Sequence, residues 1–458
     1  MRDSIKTMPD KIRKAEMNQY NSVTEGDLLR AFVLFLLPLI AAGCLQQSYT
    51  IADGLILGNA INQEALGSVS SVGPIIDVCT LIQIGMAGGC SIMVSHLYGA
   101  QNHAALKKLI PEIRNLITLI SVIIAAVAFI FAPWILRRLH TPDELIAGAV
   151  TYMRICFAGV PFMSLYSLQA GILRGMGDSR RPLGGIAVSS GVNIALDLLF
   201  VVAFDFGIAG AAIATASAEA LSALYLYIKL GERVRSLGDR GAKESGDTLE
   251  CIRLGAPQMI QSVVTSGGKV LLQNLTNMLG AAVVIGVAAA FKIDSLLLLP
   301  LISISTAVSV FSGQNIGAGH DDRVRSTLRY GMLISLAFSL VLSVFLWKFG
   351  YPLTTVFGLD RTASEAGYRY LLLCVPFYWV FGVQFVVGGY LNGAKHTTLT
   401  SAAAIAGLAV RLLFAYIFCG RFGADVLPLG EALSWVTAAF IDICGALYYR
   451  SRQNHSIL

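Results

Sequence analysis

The chain has 458 residues, of which 55% are hydrophobic and 14% are charged, and its formal net charge is +6. A soluble protein of this length normally carries about 25% charged residues, so this composition excludes an ordinary soluble domain. Runs of roughly 20 apolar residues, the length that a membrane-spanning helix needs, recur along the whole chain. The sequence predicts an all-α, polytopic membrane protein. In a membrane protein, an excess of basic residues primarily indicates how the chain is oriented in the membrane. We therefore expect no nucleic-acid partner.

The polar, charged residues 1–27 precede the first apolar run. They are too long and too mixed for the start of a secretory signal, and no small-residue cleavage site follows, so we expect a cytoplasmic N-terminal tail. Twelve apolar segments follow in chain order and predict twelve transmembrane helices. Their approximate bounds are 28–57, 66–94, 112–136, 145–172, 182–205, 207–231, 249–279, 282–312, 325–349, 362–391, 398–419 and 427–449.

The longest polar interruption, residues 231–250, divides these segments into two sets of six. We therefore predict an N-lobe bundle over 28–231, a cytoplasmic linker over 232–248, a C-lobe bundle over 249–450 and a C-terminal tail over 451–458. Most Lys and Arg residues fall in segments on one side of this topology. The positive-inside rule then places both termini in the cytoplasm, in a multi-pass protein of the cell membrane.

The two halves resemble each other. SHLYGAQNHAALKKLI (95–110) is similar to GQNIGAGHDDRVRSTL (313–328), and GILRGMGD (171–178) is similar to GYLNGAKH (389–396), both at an offset of 218 residues. Six crossings bring the chain back to the same side, so the two copies enter the membrane in parallel. Substrate is then expected between or within the two bundles.

Signatures of enzymes are missing from the sequence. The six histidines form no metal-binding motif, no C-x-x-C pair occurs among the eight cysteines, and there is no phosphate-binding G-x-x-x-x-G-K-[ST] loop. We expect a protein that is not an enzyme and holds neither cofactor nor resident metal. Energy for transport would come from an ion gradient or from a partner.

Ionisable residues inside apolar segments are functional candidates, because a charge in the membrane is costly. Asp197 lies four residues after Asn193, and Asp53 lies four residues after Tyr49, so each pair shares one face of a helix. Two such carboxylates in one cavity could carry a proton across the membrane, and a sodium ion at Asp53, Asn193 and Asp197 is the alternative. On spacing alone, Asp53 could also cap or end a helix at the interface.

Further ionisable residues stand in both halves. Asp77 and Glu219 are less certain candidates of the first half, and the second half offers Lys269, Lys292, Asp294, Arg411 and Asp442. Lys269 and Arg411 could extend towards the membrane surface or neutralise Asp294. A purely structural ion pair is the alternative to a transport role for Lys292 and Asp294.

Six motifs follow one another along the chain: YTIADGLIL, GAQNHAALKK, GILRGMGDSRRP, GVNIALD, GIAGAAIAT and GQNIGAGHDDRVR. In this order they resemble the multidrug and toxic compound extrusion (MATE) transporters, and the first half is closer to the DinF-like branch than to the NorM-like one. The resemblance covers residues 28 to 449. It implies two six-helix bundles in a V around a cavity that alternates between inward and outward openings. It also implies export of amphipathic, often cationic, compounds in exchange for protons or sodium ions.

The DinF-like branch binds its coupling ion in an N-lobe network, and the resemblance carries that role onto six positions of this chain. They are Tyr49, Asp53, Tyr152, Asn193, Asp197 and Thr215. We expect a monomer that contacts membrane lipid and a small drug-like substrate. Where the NorM-like branch has a second-lobe carboxylate pair, this chain offers Lys269, Lys292, Asp294 and Arg411. That difference counts against a second-lobe cation site.

Two other functions remain open at this stage. A flippase for lipid-linked or polysaccharide precursors belongs to the same superfamily, and the basic residues of the second half are compatible with it. A membrane enzyme or receptor-like binding protein is a third candidate, although the duplicated six-segment plan and the missing nucleophile or metal motif disfavour it.

Overall fold

The computed structural model of the protein describes residues 23–60, 63–238 and 248–455. Most of the predicted N-terminal tail, the middle of the predicted linker and the last three residues lie outside these ranges. Within them, the chain is helical and contains no β-strand. This confirms the all-α class that the long apolar runs predict.

Fourteen α-helices run through the described ranges. They are α1 (Leu28–Ala60), α2 (Gln63–Gly99), α3 (His103–Arg138), α4 (Asp143–Gly175), α5 (Arg180–Asp197), α6 (Gly207–Ser236), α7 (Thr248–Met278), α8 (Ala281–Leu297), α9 (Leu299–Gly317), α10 (Asp321–Thr355), α11 (Arg361–Cys374), α12 (Tyr378–Gly393), α13 (Thr397–Phe422) and α14 (Val426–His455). Each of the twelve apolar segments corresponds to one helix or to two consecutive helices. A π-helical turn, Leu198–Ala203, follows α5 directly.

Length and apolarity identify nine candidate spans in the part of the chain that the structure describes. The number becomes ten if α8 and α9, which meet at a bend of 41°, form one broken span. One of the nine runs over 55 residues from Thr397 to Ser451 and contains both α13 and α14. A single crossing needs roughly 20 residues, so this stretch is long enough for two. The count of twelve spans stays a prediction.

Five prolines fall inside the predicted spans, and they behave in two ways. Pro38, Pro161 and Pro257 lie within α1, α4 and α7, which continue through them as helix. Pro300 stands instead in the first turn of α9, and Pro376 lies in the short 3-10 turn between α11 and α12. A proline at a helix start needs no backbone N–H partner. Two of the five therefore mark breaks between helices.

The predicted duplication is also visible in two equivalent places where helices pack closely against each other. A Cβ built on Gly171 would lie 2.6 Å from the carbonyl oxygen of Ala87, and one on Gly389 would lie 2.5 Å from that of Ser305. The same offset of 218 residues relates both glycines and both carbonyls. Only glycine permits such an approach of backbone to backbone. The GILRG and GYLNG motifs therefore make equivalent contacts, between α4 and α2 and between α12 and α9.

Equivalent helix ends follow these motifs. The N–H of Asp178 donates to the carbonyl of Leu173 at 2.9 Å, and that of His396 donates to the carbonyl of Leu391 at 2.8 Å. Both ends turn through a residue in the left-handed region, Gly177 with φ 82° and Lys395 with φ 67°. This is the geometry in which the last carbonyls of a helix find donors.

The chain forms two compact units. One is Leu37–Met259, and the other joins Ile260–Leu458 with the described residues up to Leu36. Both divisions fall inside a helix next to a proline, at Pro38 of α1 and at Pro257 of α7. The predicted lobe bounds of 28–231 and 249–450 remain predictions, and the compact units differ from them mainly in where these two helices are divided.

The first turns of α1 are packed within the second unit. The rings of Phe32 and Phe35 lie 5.3 and 5.5 Å from the ring of Phe311. Arg323 at the start of α10 donates to the carbonyls of Val23 and Gly26. These contacts explain why the start of the chain belongs to the unit that holds the second half.

Candidate functional site

Tyr49 and Asp53 lie one turn apart on α1, inside the unit Leu37–Met259. The helix forms because an apolar run of this length satisfies its own backbone hydrogen bonds, as a membrane segment must. Both side chains are partly buried. The Oδ1 atom of Asp53 is buried and has no hydrogen-bond partner. A polar atom in that state marks a site that calls for a proton, a cation or a ligand.

Asn193 and Asp197 occupy the last turn of α5 and are 0% exposed. Asp197 is the last residue before the π-helical turn, a local geometry that recurs at functional sites. The Nδ2 group of Asn193 donates to Oγ1 of Thr215 on α6 at 3.3 Å. Both carboxyl oxygens of Asp197 are buried without a partner. A fully buried carboxyl group without a donor is rare, because its charged form is poorly solvated.

The carboxyl groups of Asp53 and Asp197 lie within hydrogen-bonding reach of each other. An ionised carboxylate only accepts hydrogen bonds, so a bond between the two requires a proton on one of them. Two negative charges at this separation repel each other strongly in a poorly hydrated site. The pair is therefore built to hold at least one proton, or a cation between its oxygens.

Two tyrosines complete the group. The hydroxyl of Tyr49 is within hydrogen-bonding reach of Thr215, and Tyr152 on α4 interacts with Cys156, Asp53 and Tyr49. The structure thus brings together all six residues proposed for the N-lobe network, from α1, α4, α5 and α6. Their role in coupling remains a prediction.

Asp294 on α8 is a buried acidic residue of the second unit, with 7% of its surface exposed. It accepts a hydrogen bond of 2.6 Å from the hydroxyl of Tyr378 on α12. The ring of Tyr378 in turn packs at 5.7 Å from that of Trp435. Asp442 on α14 is also buried, and its Oδ1 atom has no partner.

Arg411 on α13 forms an ion pair with Glu431 on α14. The hydroxyl of Tyr370 donates to Oε2 of Glu431 at 3.4 Å. The sequence suggested two roles for Arg411: a side chain that extends towards the membrane surface, or a counter-charge for Asp294. The observed ion pair with Glu431 matches neither role. Its partner is an acidic residue that the sequence analysis did not single out. The side chains of Lys269 and Lys292 are exposed, as is that of Asp77 in the first unit.

A metal centre is not indicated by the described ranges, which contain no group of three or more His, Cys, Asp or Glu residues placed to hold an ion. The oxygens of Asp53, Asn193 and Asp197 nevertheless suit a transported sodium ion, since hard cations prefer carboxylate and amide oxygens. Such a sodium ion would be transported by the protein and would not be a resident metal.

Comparison with known families gives one family model, which matches the chain twice. The MatE family model matches residues 38–199 and again residues 257–417. The chain belongs to the MATE family. The two matches begin at Pro38 and Pro257, which supports the internal duplication in this MATE protein. Membership indicates a transporter in a membrane rather than an enzyme.

Relatives of this MATE protein include the probable multidrug resistance protein YpnP of Bacillus subtilis (strain 168), which is 30% identical over 93% of this chain and 96% of its own length. The probable multidrug resistance protein YoeA of the same organism is 29% identical over 84% and 86%. Among solved structures, a crystal structure of MATE in complex with MaL6 superposes with a TM-score of 0.87. It is 20% identical and the match covers 95% of this chain and 99% of that chain, which establishes the fold.

Two further residues lie near the N-lobe network and were not predicted to belong to it from the sequence. Cys156 lies one helical turn after Tyr152 and interacts with it and with Asp53. Glu219 lies one turn after Thr215 on α6 and interacts with Tyr49. The spacing of four residues was a usable signal for both, because residues at i and i+4 share a helix face. For Glu431 no such local signal exists, since its partner is on another helix.

Proposed function

We propose that this MATE protein is a secondary antiporter that exports organic, cationic or amphipathic compounds in exchange for protons. The observation that carries the proposal is the facing carboxyl pair of Asp53 and Asp197, buried in a membrane protein and without a cationic partner among the described contacts. The two Bacillus subtilis relatives, both named as probable multidrug resistance proteins, support the substrate class.

The coupling step follows from the chemistry of the pair. A proton bound between Asp53 and Asp197 removes one negative charge and allows a hydrogen bond between the two carboxyl groups. Loss of that proton restores the repulsion and favours binding of a cationic compound. Since Tyr49 and Asp53 belong to α1, protonation would reposition this helix near Pro38. Alternating access follows if substrate and proton each favour a different position of α1.

The DinF-like branch is part of this proposal, because all six network positions hold the residue types that the resemblance implies. Protons are preferred over sodium, since a carboxyl pair can share one proton without further ligands. The flippase alternative is not favoured, because Lys269 and Lys292 are exposed and Arg411 is paired with Glu431.

We further propose a monomer in the cell membrane with both termini in the cytoplasm. The support is the uneven distribution of Lys and Arg between the two sides of the predicted topology. A network contained in one unit of one chain supports function without a second copy.

The test is transport of ethidium, a fluorescent organic cation, in proteoliposomes with an imposed pH or sodium gradient. Wild type should move ethidium uphill with the pH gradient, and Asp197→Asn should lose this at least about 100-fold, the lower range for an essential acid–base group. Asp77→Asn, which changes an exposed aspartate on α2, is the matched control and should behave as wild type. Uphill transport by Asp197→Asn at the wild-type rate would refute the site, and dependence on sodium at fixed pH would refute proton coupling.

A further inference from the structure

We propose that Glu219 is a proton-relay residue that connects the Asp53–Asp197 pair to the end of the bundle where α4 stops and α5 begins. The inference rests on the proposed proton coupling and adds a path to it. The proton enters or leaves the aspartate pair through the hydroxyl of Tyr49 and passes to the carboxylate of Glu219.

The first step is the position of Glu219 along α6. It follows Thr215 by four residues, which places it roughly 6 Å further towards the C-terminal end of the helix. Thr215 holds Asn193 by a hydrogen bond and is within reach of Tyr49. Glu219 interacts with the same tyrosine. Tyr49 therefore interacts with the aspartate pair and also with a third carboxyl group.

The second step is the course of α4. Its Tyr152 interacts with Asp53, whereas Tyr166, 14 residues later in the sequence, lies roughly 21 Å further along the helix. Tyr166 interacts electrostatically with both Glu219 and Arg174. Arg174 is next to Gly175, where α4 ends. Hydroxyl, carboxyl and guanidinium groups thus follow one another from the aspartate pair to this end of the bundle.

The third step is the state of Glu219 itself. Its Oε2 atom is buried and has no hydrogen-bond partner among the described residues. A carboxyl group that served only to hold helices together would be expected to have its buried oxygens paired. The titratable and charged groups that face it are Tyr49 from α1 and Tyr166, backed by Arg174, from α4.

The transfer balances without any further reactant. The protonated carboxyl group of the aspartate pair gives its proton to the oxygen of Tyr49, while the tyrosine O–H gives its own proton to Glu219. Tyr49 is neutral before and after, the aspartate pair has lost one proton, and Glu219 has become a carboxylic acid. Release of that proton past Tyr166 restores the Glu219 carboxylate.

The deciding experiment compares two modes of transport for Glu219→Gln in proteoliposomes. Ethidium exchange at equal concentrations, which requires no net proton movement, should stay within about two-fold of wild type. Uptake driven by a pH gradient, and acidification of trapped pyranine, should both slow by about 10-fold or more, as expected for loss of one proton-transfer group. Glu232→Gln on the same helix, whose carboxylate pairs with Lys229 at 3.1 Å, should change neither.

Two additional variants distinguish a loss of proton transfer from a loss of folding. Glu219→Asp should recover part of the proton-driven rate, and Tyr166→Phe should slow it in the same direction while ethidium exchange is kept. Wild-type proton flux in Glu219→Gln, or loss of ethidium exchange together with proton flux in a folded Glu219→Gln, would overturn the relay. If Asp197→Asn instead retains full coupling, the proposed function fails whatever Glu219 does.

Discussion

The carboxyl groups of Asp53 on α1 and Asp197 on α5 lie within hydrogen-bonding reach of each other. Residues far apart in the chain thus meet at the point where α5 gives way to a π-helical turn. Asp197 is fully buried, whereas Asp53 is only partly so. The two positions are therefore not equivalent, and Asp53 is the partly exposed member of the pair.

Replacing the partly exposed member tests this difference. In Asp53→Asn the pair keeps one carboxyl group but loses the repulsion that drives proton release, so pH-driven ethidium transport should fall about 100-fold or more. The measurement is uptake over a range of imposed pH gradients, with Asp77→Asn as control. Unchanged transport with an unchanged pH dependence would contradict a role for Asp53.

The hydroxyl of Tyr49 should matter for coupling and only weakly for stability. Tyr49→Phe keeps the ring and removes one hydrogen bond, which costs on the order of 1 kcal/mol of unfolding free energy. Proton-driven transport should slow by about 10-fold, since the path to Glu219 is interrupted. Thr50→Val is the control, because the Thr50 hydroxyl is bonded to the carbonyl of Gln46 on the exposed side of α1. Equal effects of both variants would refute the role of Tyr49.

The Arg411–Glu431 pair should be a structural element of the second unit. The exposed fractions of its side chains are 12% and 18%, so Glu431→Gln leaves a nearly buried, unpaired guanidinium group. We expect a loss of about 3 kcal/mol of unfolding free energy, measured by thermal unfolding in detergent.

The double variant Arg411→Met with Glu431→Leu should recover most of that loss, because no charge remains to be paired. Arg361→Ala offers the comparison, since Arg361 pairs with Glu365 at the surface with 86% of its side chain exposed. Such exposed pairs contribute little to stability, because water and salt screen them. A double variant less stable than Glu431→Gln would show that the pair itself is strongly stabilising.

Lys395 offers a stabilising substitution. It holds a φ of 67° at the helix end where the first half of the chain has Gly177. A left-handed conformation costs a residue with a side chain about 1 kcal/mol relative to glycine. Lys395→Gly should therefore raise the thermal unfolding midpoint and Gly177→Ala should lower it. Lys395→Ala keeps the strain, and a gain equal to that of glycine would point to the lost charge as the cause.

His396 should make stability depend on pH. It lies in the connection between α12 and α13, stacked on Tyr449 at 3.5 Å, and burial lowers its pKa below the usual value of a histidine. The folded protein then binds this proton less readily than the unfolded chain. The contribution is complete above about pH 6.5 and is lost as the pH falls towards the lower pKa of the folded state.

Thermal unfolding between pH 8 and pH 5 measures this effect. His396→Gln should flatten the decline in stability on the acid side, whereas His140→Gln, which changes an exposed histidine after α3, should leave the curve as it is. Identical curves for wild type and His396→Gln would show that other groups cause the decline.

Several features followed from the sequence alone because they depend on neighbours in the chain. Hydropathy over roughly 20 residues located each helix or pair of consecutive helices, although the helix ends differ from the predicted bounds by up to nine residues. The repeat at an offset of 218 residues reappears in the glycine contacts of Gly171 and Gly389. The period of the helix put Tyr49 with Asp53 and Asn193 with Asp197 on common faces. The family resemblance added Tyr152 and Thr215 to this list.

The tertiary structure decided which of those faces meet. Nothing local shows that α1 presents Asp53 to Asp197, that Glu219 interacts with both Tyr49 and Tyr166, or that Arg411 pairs with Glu431 and not with Asp294. Hydropathy and helical period are properties of one segment, whereas partner choice depends on how distant helices pack. The sequence thus identified the candidate carboxylates, whereas the packing of distant helices brings two of them together as a pair.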